Sequence, residues 1–218
     1  GVTGGALSID DTSKLYYMST AGMNQTTDKI SLATSGYVDL MNGKATQNVI
    51  DSLVVNNGKD GDGQADFAID ISARSSSEHK TDVIKANTIS VSTKGETGVI
   101  NISDFGFQGD LTGDGAPISK HIRLGKIFDS DKIGEEVKFT STDKEIATPI
   151  GNYRLNASSA NDGNYSLDLT SFNPQVFRGQ VATAASYLNQ LTVNDSLFNK
   201  AQIRRYSPSY GDMFRNRT

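Results

Sequence analysis

Apolar residues along this chain recur mostly at every second position. Leu53 and Val55 alternate with polar neighbours, and Phe67, Ile69 and Ile71 alternate with Ala68, Asp70 and Ser72. The same period runs through Ile89 and Val91, Ile100 and Ile102, Ile122 and Leu124, Val137 and Phe139, and Tyr165, Leu167 and Leu169. Successive side chains of a strand point to opposite faces, so each run predicts a short strand with one buried side. Turn chemistry separates the runs: Asn42-Gly43, Asn57-Gly58, the stretch Asp60–Gly63, Gly95, Gly113–Gly115 and Asp162-Gly163. Many short strands at this spacing fit a sandwich, a barrel or a β-solenoid. No exact repeat is visible, although apolar pairs followed by Gly/Asn turns recur weakly.

The period changes at Ser171. Phe177, Val181, Ala184, Leu188, Leu191 and Phe198 follow one another at steps of three, four and seven, which places them on one helical stripe. Pro174 suits a first turn, and Ser171 or Asn173 can cap it. The spacing predicts a helix over 174–203, then a polar, Arg-rich end. The organisation expected is a β segment over 1–170 and a helical linker with a basic tail over 171–218.

Charge divides at the same point. Six of the 21 Lys/Arg and two of the 25 Asp/Glu lie from Ser171 onward, leaving 15 basic against 23 acidic residues before it. With a formal net charge of −4, nucleic acid is a poor partner for this surface. The chain has no cysteine, which excludes disulfides, thiolate catalysis and Cys-type zinc sites. No apolar run approaches the length of a membrane-spanning helix. The start at glycine rather than methionine reads as a piece of a longer precursor.

Candidate chemistry is sparse. Lys59 to Asp66 resembles a calcium loop in composition, but the register fails: with Asp62 and Gly63 at positions five and six, positions one and twelve are Gly58 and Ile69. A second candidate, Asp110 to Gly115, puts His121 at position twelve. Both read as solvated turns. His79 lies in a polar run and His121 precedes a strand; a general base needs a positioned partner, and the sequence shows none for either. Asp66 and Asp70 share a strand face by their even spacing and read as its wet side rather than as a glycosidase pair. No catalytic, cofactor-binding or metal-binding residue is assigned.

The segments also resemble a known family. Ser35-Gly36-Tyr37-Val38-Asp39-Leu40-Met41-Asn42-Gly43 is similar to the "sGxhdLxNG" pattern of bacterial autotransporter passenger domains. Ala65–Asp70, then Lys80-Thr81-Asp82-Val83-Ile84, then Gly98–Ile102, resemble the "f-x-h-D-h … s-D-x-h … G-x-h-x-I" module near the passenger C-terminus, the pertactin-like autochaperone region. Phe172–Phe177 and Ala185–Leu191 resemble the junction into the translocator barrel. The match covers roughly residues 35–200, and its specificity lies in the order of degenerate motifs. Departures are the absent barrel strands and the lack of an Asn-Asn pair in the linker, so self-cleavage is not carried over.

The resemblance implies a mainly β fold, a right-handed parallel β-helix (β-solenoid) with one C-terminal α-helix. It implies a non-enzymatic passenger segment acting as stem, folding module and adhesin on the bacterial surface. Its partners would be the outer-membrane β-barrel of the same precursor and host or surface glycans or proteins. The alternatives are a carbohydrate-active enzyme on a β-helix, against which the absence of Trp counts, and a β-sandwich binding module.

Overall fold

The structure is a computed structural model that describes residues 5–19, 22–23, 30–57, 63–75, 77–109, 111 and 120–173. The expected helix over 174–203, the barrel junction beyond Asn173, half of the Lys59–Asp66 calcium-loop candidate and most of the Asp110–Gly115 one lie outside the described residues.

In chain order the strands are β1 Gly5–Ile9, β2 Lys14–Tyr16, β3 Ile30–Thr34, β4 Tyr37–Asp39, β5 Gln47–Val55, β6 Gly63–Ala73, β7 His79–Thr81 and β8 Val83–Val91. They continue as β9 Gly98–Gln108, β10 His121–Lys126, β11 Phe128–Asp129, β12 Val137–Ser141, β13 Glu145–Ala147, β14 Gly151–Ala157 and β15 Asn164–Phe172. The described residues contain no helix. The fold is mainly β with parallel sheets.

Two of the three sheets are parallel along their main path. One has the order β1-β3-β5-β8-β11 and the other β12-β9-β6-β4-β2, with β7 pairing antiparallel onto β6. The chain visits these two sheets in turn. Like residues therefore stack in register: Leu7 beside Leu32, Leu32 beside Leu53, Leu53 beside Ile89, and Ile89 beside Ile133. In the facing sheet Val38 neighbours Phe67, which neighbours Ile102, and Ala65, Ile100 and Phe139 form a second ladder. Phe67, Ile69, Ile71, Ile89, Ile100 and Ile102 are buried, as the alternation predicts, and Val91 is half-buried.

The sequence separation between stacked residues is not constant. Leu32 and Leu53 are 21 positions apart, Leu53 and Ile89 are 36, and Ile89 and Ile133 are 44. In-sheet register is kept while the excursions between strands vary in length, which erases any fixed period in the sequence. Close approach where the chain turns into a second-sheet strand selects glycine. A Cβ on Gly98 would lie 2.5 Å from Val91 Cγ1 and 3.0 Å from Val55 Cβ.

The third sheet, β10-β15-β14-β13, is antiparallel. Period two cannot distinguish it from a parallel sheet, because both bury alternate residues. Its inner face, with Tyr153, Leu155, Tyr165 and Leu167, closes one end of the parallel pair. Phe128 of β11 lies 5.0 Å edge-on from Phe67, 5.6 Å from Phe139 and 6.2 Å from Tyr165 (ring centroids). The Phe139 amide donates to Ala160 O at 2.9 Å, Ser141 Oγ donates to Leu155 O, the Ile127 amide donates to Gly163 O, and Tyr165 Oη donates to Thr140 O. The final strands β11 and β12 thus have neighbours that occupy edges otherwise open to further pairing.

Candidate functional site

The most tightly built polar feature is a pair of buried carboxylates where β6 meets the loop after β4 and the loop after β7. Asp70 projects from β6 on the face opposite Phe67, Ile69 and Ile71. It is 4% exposed, so this part of the outer face is not wet, contrary to what spacing alone indicates. Its Oδ2 accepts the amides of Asn42 and Gly43 at 2.8 and 2.9 Å. Gly43 has φ +83°, a left-handed conformation that suits glycine, and so turns its N–H toward the carboxylate. Across the sheet from Asp70 sits Gly106, where a Cβ would come within 2.7 Å of Asp70 Oδ1.

Asp82 is fully buried. Its Oδ1 accepts from the Thr46 amide at 2.6 Å and the Thr46 hydroxyl at 3.0 Å, and its Oδ2 accepts from the Asp70 amide at 2.7 Å. The Asp82 amide in turn donates to Asp70 O, and the Val83 amide donates to Thr46 O. Neither carboxylate joins an ion pair among the described residues. Burial pushes the Asp82 carboxyl up to about 6, the three donors oppose this, and the nearby Asp70 charge adds to it.

Three of the family-like segments meet here: Ser35–Gly43 contributes the Asn42 and Gly43 amides, Ala65–Asp70 contributes Asp70, and Lys80–Ile84 contributes Asp82. Fixing chain segments 12 to 36 residues apart on two carboxylates is what this arrangement can do. Catalysis is not, because both Asp82 oxygens are turned onto backbone amides and no surface reaches them.

The other candidates disperse. Asp66 accepts from Asn101 Nδ2 and Gln64 Nε2 rather than facing Asp70 as a reactive pair. His79 lies in β7, half-buried. His121 does acquire a partner that the local sequence hides: Asp168, its cross-strand neighbour, places Oδ1 2.5 Å from Nδ1. Asn156 Nδ2 and Ser166 Oγ donate to the other Asp168 oxygen at 2.8 and 3.0 Å. A nucleophilic triad needs the hydroxyl on the imidazole, whereas Ser166 is bonded to the carboxylate. The cluster therefore ties β10, β14 and β15 together. Among the described residues no group of three or more His, Asp or Glu is placed to hold a metal ion.

Sequence reasoning passed over Thr46 and took Asn57 only as part of a turn. Asn57 is 2% exposed; its Nδ2 donates to Thr93 O and Glu96 O, and its Oδ1 accepts from the Thr93 amide and Ser92 Oγ. The available signal was an Asn before glycine at the end of a strand, which reads equally well as an exposed turn. Compared with models of known protein families, with curated proteins and with solved structures, the chain matches none.

Proposed function

We propose that this chain is a segment of right-handed parallel β-helix serving as the stem and folding module of a bacterial autotransporter passenger. In this reading it is non-enzymatic, it stands outside the outer membrane, and the barrel of its own precursor brings it there. The observation that carries the reading is the stack Leu7–Leu32–Leu53–Ile89–Ile133, in which a chain visiting two parallel sheets alternately returns each time with an aliphatic residue in register. Crossovers between parallel strands of one sheet are right-handed in nearly all proteins, which supports the hand. The closing of β11 and β12 by the antiparallel sheet supports a terminal folding module, since a finished end gives growing ladders something to build on. The carboxylate pair supports the family likeness, because residues from three of its motif segments converge there.

The experiment fuses the chain between a secretion signal and an outer-membrane barrel, with protease added to intact cells as the readout. The expected result is a surface-exposed chain with a protease-resistant core running through Phe172, while an Asp70→Ala, Asp82→Ala double variant is exported but digested. Retention of the fused chain inside the cell, under conditions where an unrelated β domain of similar size is exported, would sink the reading. Turnover of any member of a polysaccharide panel would favour an enzyme instead.

A further inference from the structure

The chain reads Asn-Gly-Lys twice, at Asn42-Gly43-Lys44 and at Asn57-Gly58-Lys59, and the fold treats the two asparagines differently. In an Asn-Gly step the glycine nitrogen stands next to the asparagine side-chain carbonyl. With no Cβ on the glycine, little steric barrier keeps that nitrogen from closing an imide ring on Cγ. Ring closure then depends on how the asparagine is held, on a base for the N–H proton and on access to water. Asn57 is held away from this chemistry. It is 2% exposed and spans the turn after β8. Its Nδ2 donates to Thr93 O at 3.0 Å and Glu96 O at 2.8 Å, and its Oδ1 accepts from the Thr93 amide at 2.6 Å and Ser92 Oγ at 3.0 Å. All of these bonds must open before Cγ can be attacked.

Asn42 is half-buried, and Gly43 beside it is exposed to water. Asn42 Oδ1 accepts from the Lys44 amide at 2.9 Å, which draws electron density from Cγ and is placed to hold the oxygen as it gains charge. Its Nδ2, the leaving group, donates to the carbonyl of exposed Ser19 at 3.1 Å. The Gly43 N–H donates to Asp70 Oδ2 at 2.9 Å. A peptide nitrogen attacks through its π lone pair, perpendicular to the plane that contains the N–H. The carboxylate therefore meets the proton without standing in the path of attack. The peptide also has room to swing toward Cγ: a Cβ added to Gly43 would find nothing nearer than Gln108 Nε2 at 3.5 Å.

We propose that Asn42 is a site of spontaneous deamidation, with Asp70 as the base and the Lys44 amide as the oxyanion donor. The Gly43 nitrogen bonds to Asn42 Cγ while its proton passes to Asp70. The Cγ–Nδ2 bond then breaks, and ammonia leaves with that proton. Water opens the resulting succinimide at either carbonyl, giving aspartate or isoaspartate, and no backbone bond is cut. Isoaspartate places an extra methylene in the backbone between residues 42 and 43, which draws the Gly43 amide off Asp70. The reaction thus undoes half of the contact that ties the loop after β4 to β6. The inference does not depend on surface display, because it is read on the purified chain.

The test ages the full chain in mildly alkaline buffer and follows both sites by peptide mass mapping, with chromatographic separation of isoaspartate from aspartate. In the folded chain Asn42 is expected to convert about tenfold or more faster than Asn57, which must wait for local opening. In denaturant the two are expected to convert at similar rates, because their local sequences match. Asp70→Asn is expected to slow Asn42 in the folded chain about tenfold or more. Asn57 in the same sample reports whether this variant stays folded. Where Asn57 conversion rises, Lys44→Pro decides instead: it removes the N–H on Oδ1 at an exposed position and is expected to slow Asn42. Folded Asn42 converting no faster than folded Asn57 would overturn the site. An unchanged Asn42 rate in the deciding variant, with Asn57 still protected, would overturn the chemistry.

Discussion

Lowering the pH from about 7.5 to about 4 should stabilise the protein through Asp82, the reverse of the behaviour of a salt-bridged carboxylate. In the unfolded chain this group titrates near its ordinary value of 3.8, and in the folded chain burial moves it up to about 6. The folded state therefore holds a proton that the unfolded state has released between those two values. The stabilisation is complete below the unfolded pKa and is lost as pH rises through the folded one. At 1.36 kcal/mol per pKa unit the difference amounts to about 3 kcal/mol. The neutral form fits the observed geometry. Thr46 Oγ can turn to accept the proton from Oδ1, whose remaining lone pair still accepts the Thr46 amide. Denaturant titrations of the wild type and an Asp82→Asn variant, at steps of about one pH unit, would isolate the effect, because other carboxylates cancel in the difference. The variant should itself be less stable than the acid form by about 1–3 kcal/mol, since its NH₂ group must face either the Thr46 or the Asp70 amide. Its stability relative to the wild type should then improve as pH rises through about 6. Curves that stay parallel across this window, or a wild type that gains on the variant with rising pH, would show that the three donors outweigh burial and refute the reasoning.

Ile100→Ala, at a fully buried position of the Ala65–Ile100–Phe139 ladder, should cost about 2–5 kcal/mol in a chemical melt; a loss under about 0.5 kcal/mol would place Ile100 outside the core. Gly98→Ala should cost about 1–3 kcal/mol, because the new methyl meets Val91 and Val55 in a closed corner; a neutral effect would mean that the corner opens. Tyr165→Phe removes the hydrogen bond to Thr140 O and should cost about 1–3 kcal/mol, with amide exchange in β12 accelerating before that in β5. A chelator should leave the thermal midpoint unchanged, as the failed calcium register requires; a marked drop would reveal a cation bound only by the native state.

Strand positions and inward faces were legible in the sequence, because side-chain direction in a strand is a local property of period two. Phe67, Ile69, Ile71, Ile100, Ile102, Leu167 and Leu169 needed no knowledge of their partners to be placed inside. Which strands pair, and in which direction, is a non-local matter. Ile122 with Leu124 and Tyr165 with Leu167 carry the same alternation as Ile100 with Ile102, yet the first two runs pair antiparallel and the last parallel. Stacked residues separated by 21, 36 and 44 positions have no period to read. The candidate sites depended on tertiary structure still more. Asp70 looks like the wet side of a strand until the Asn42-Gly43 turn closes over it. Asp82 looks like a polar residue between short strands until Thr46, 36 positions away, meets it. His121 looks unpartnered until an antiparallel register sets Asp168 beside it. Local sequence decides which way a side chain points; only the assembled sheets decide whether water, an amide or another carboxylate waits there.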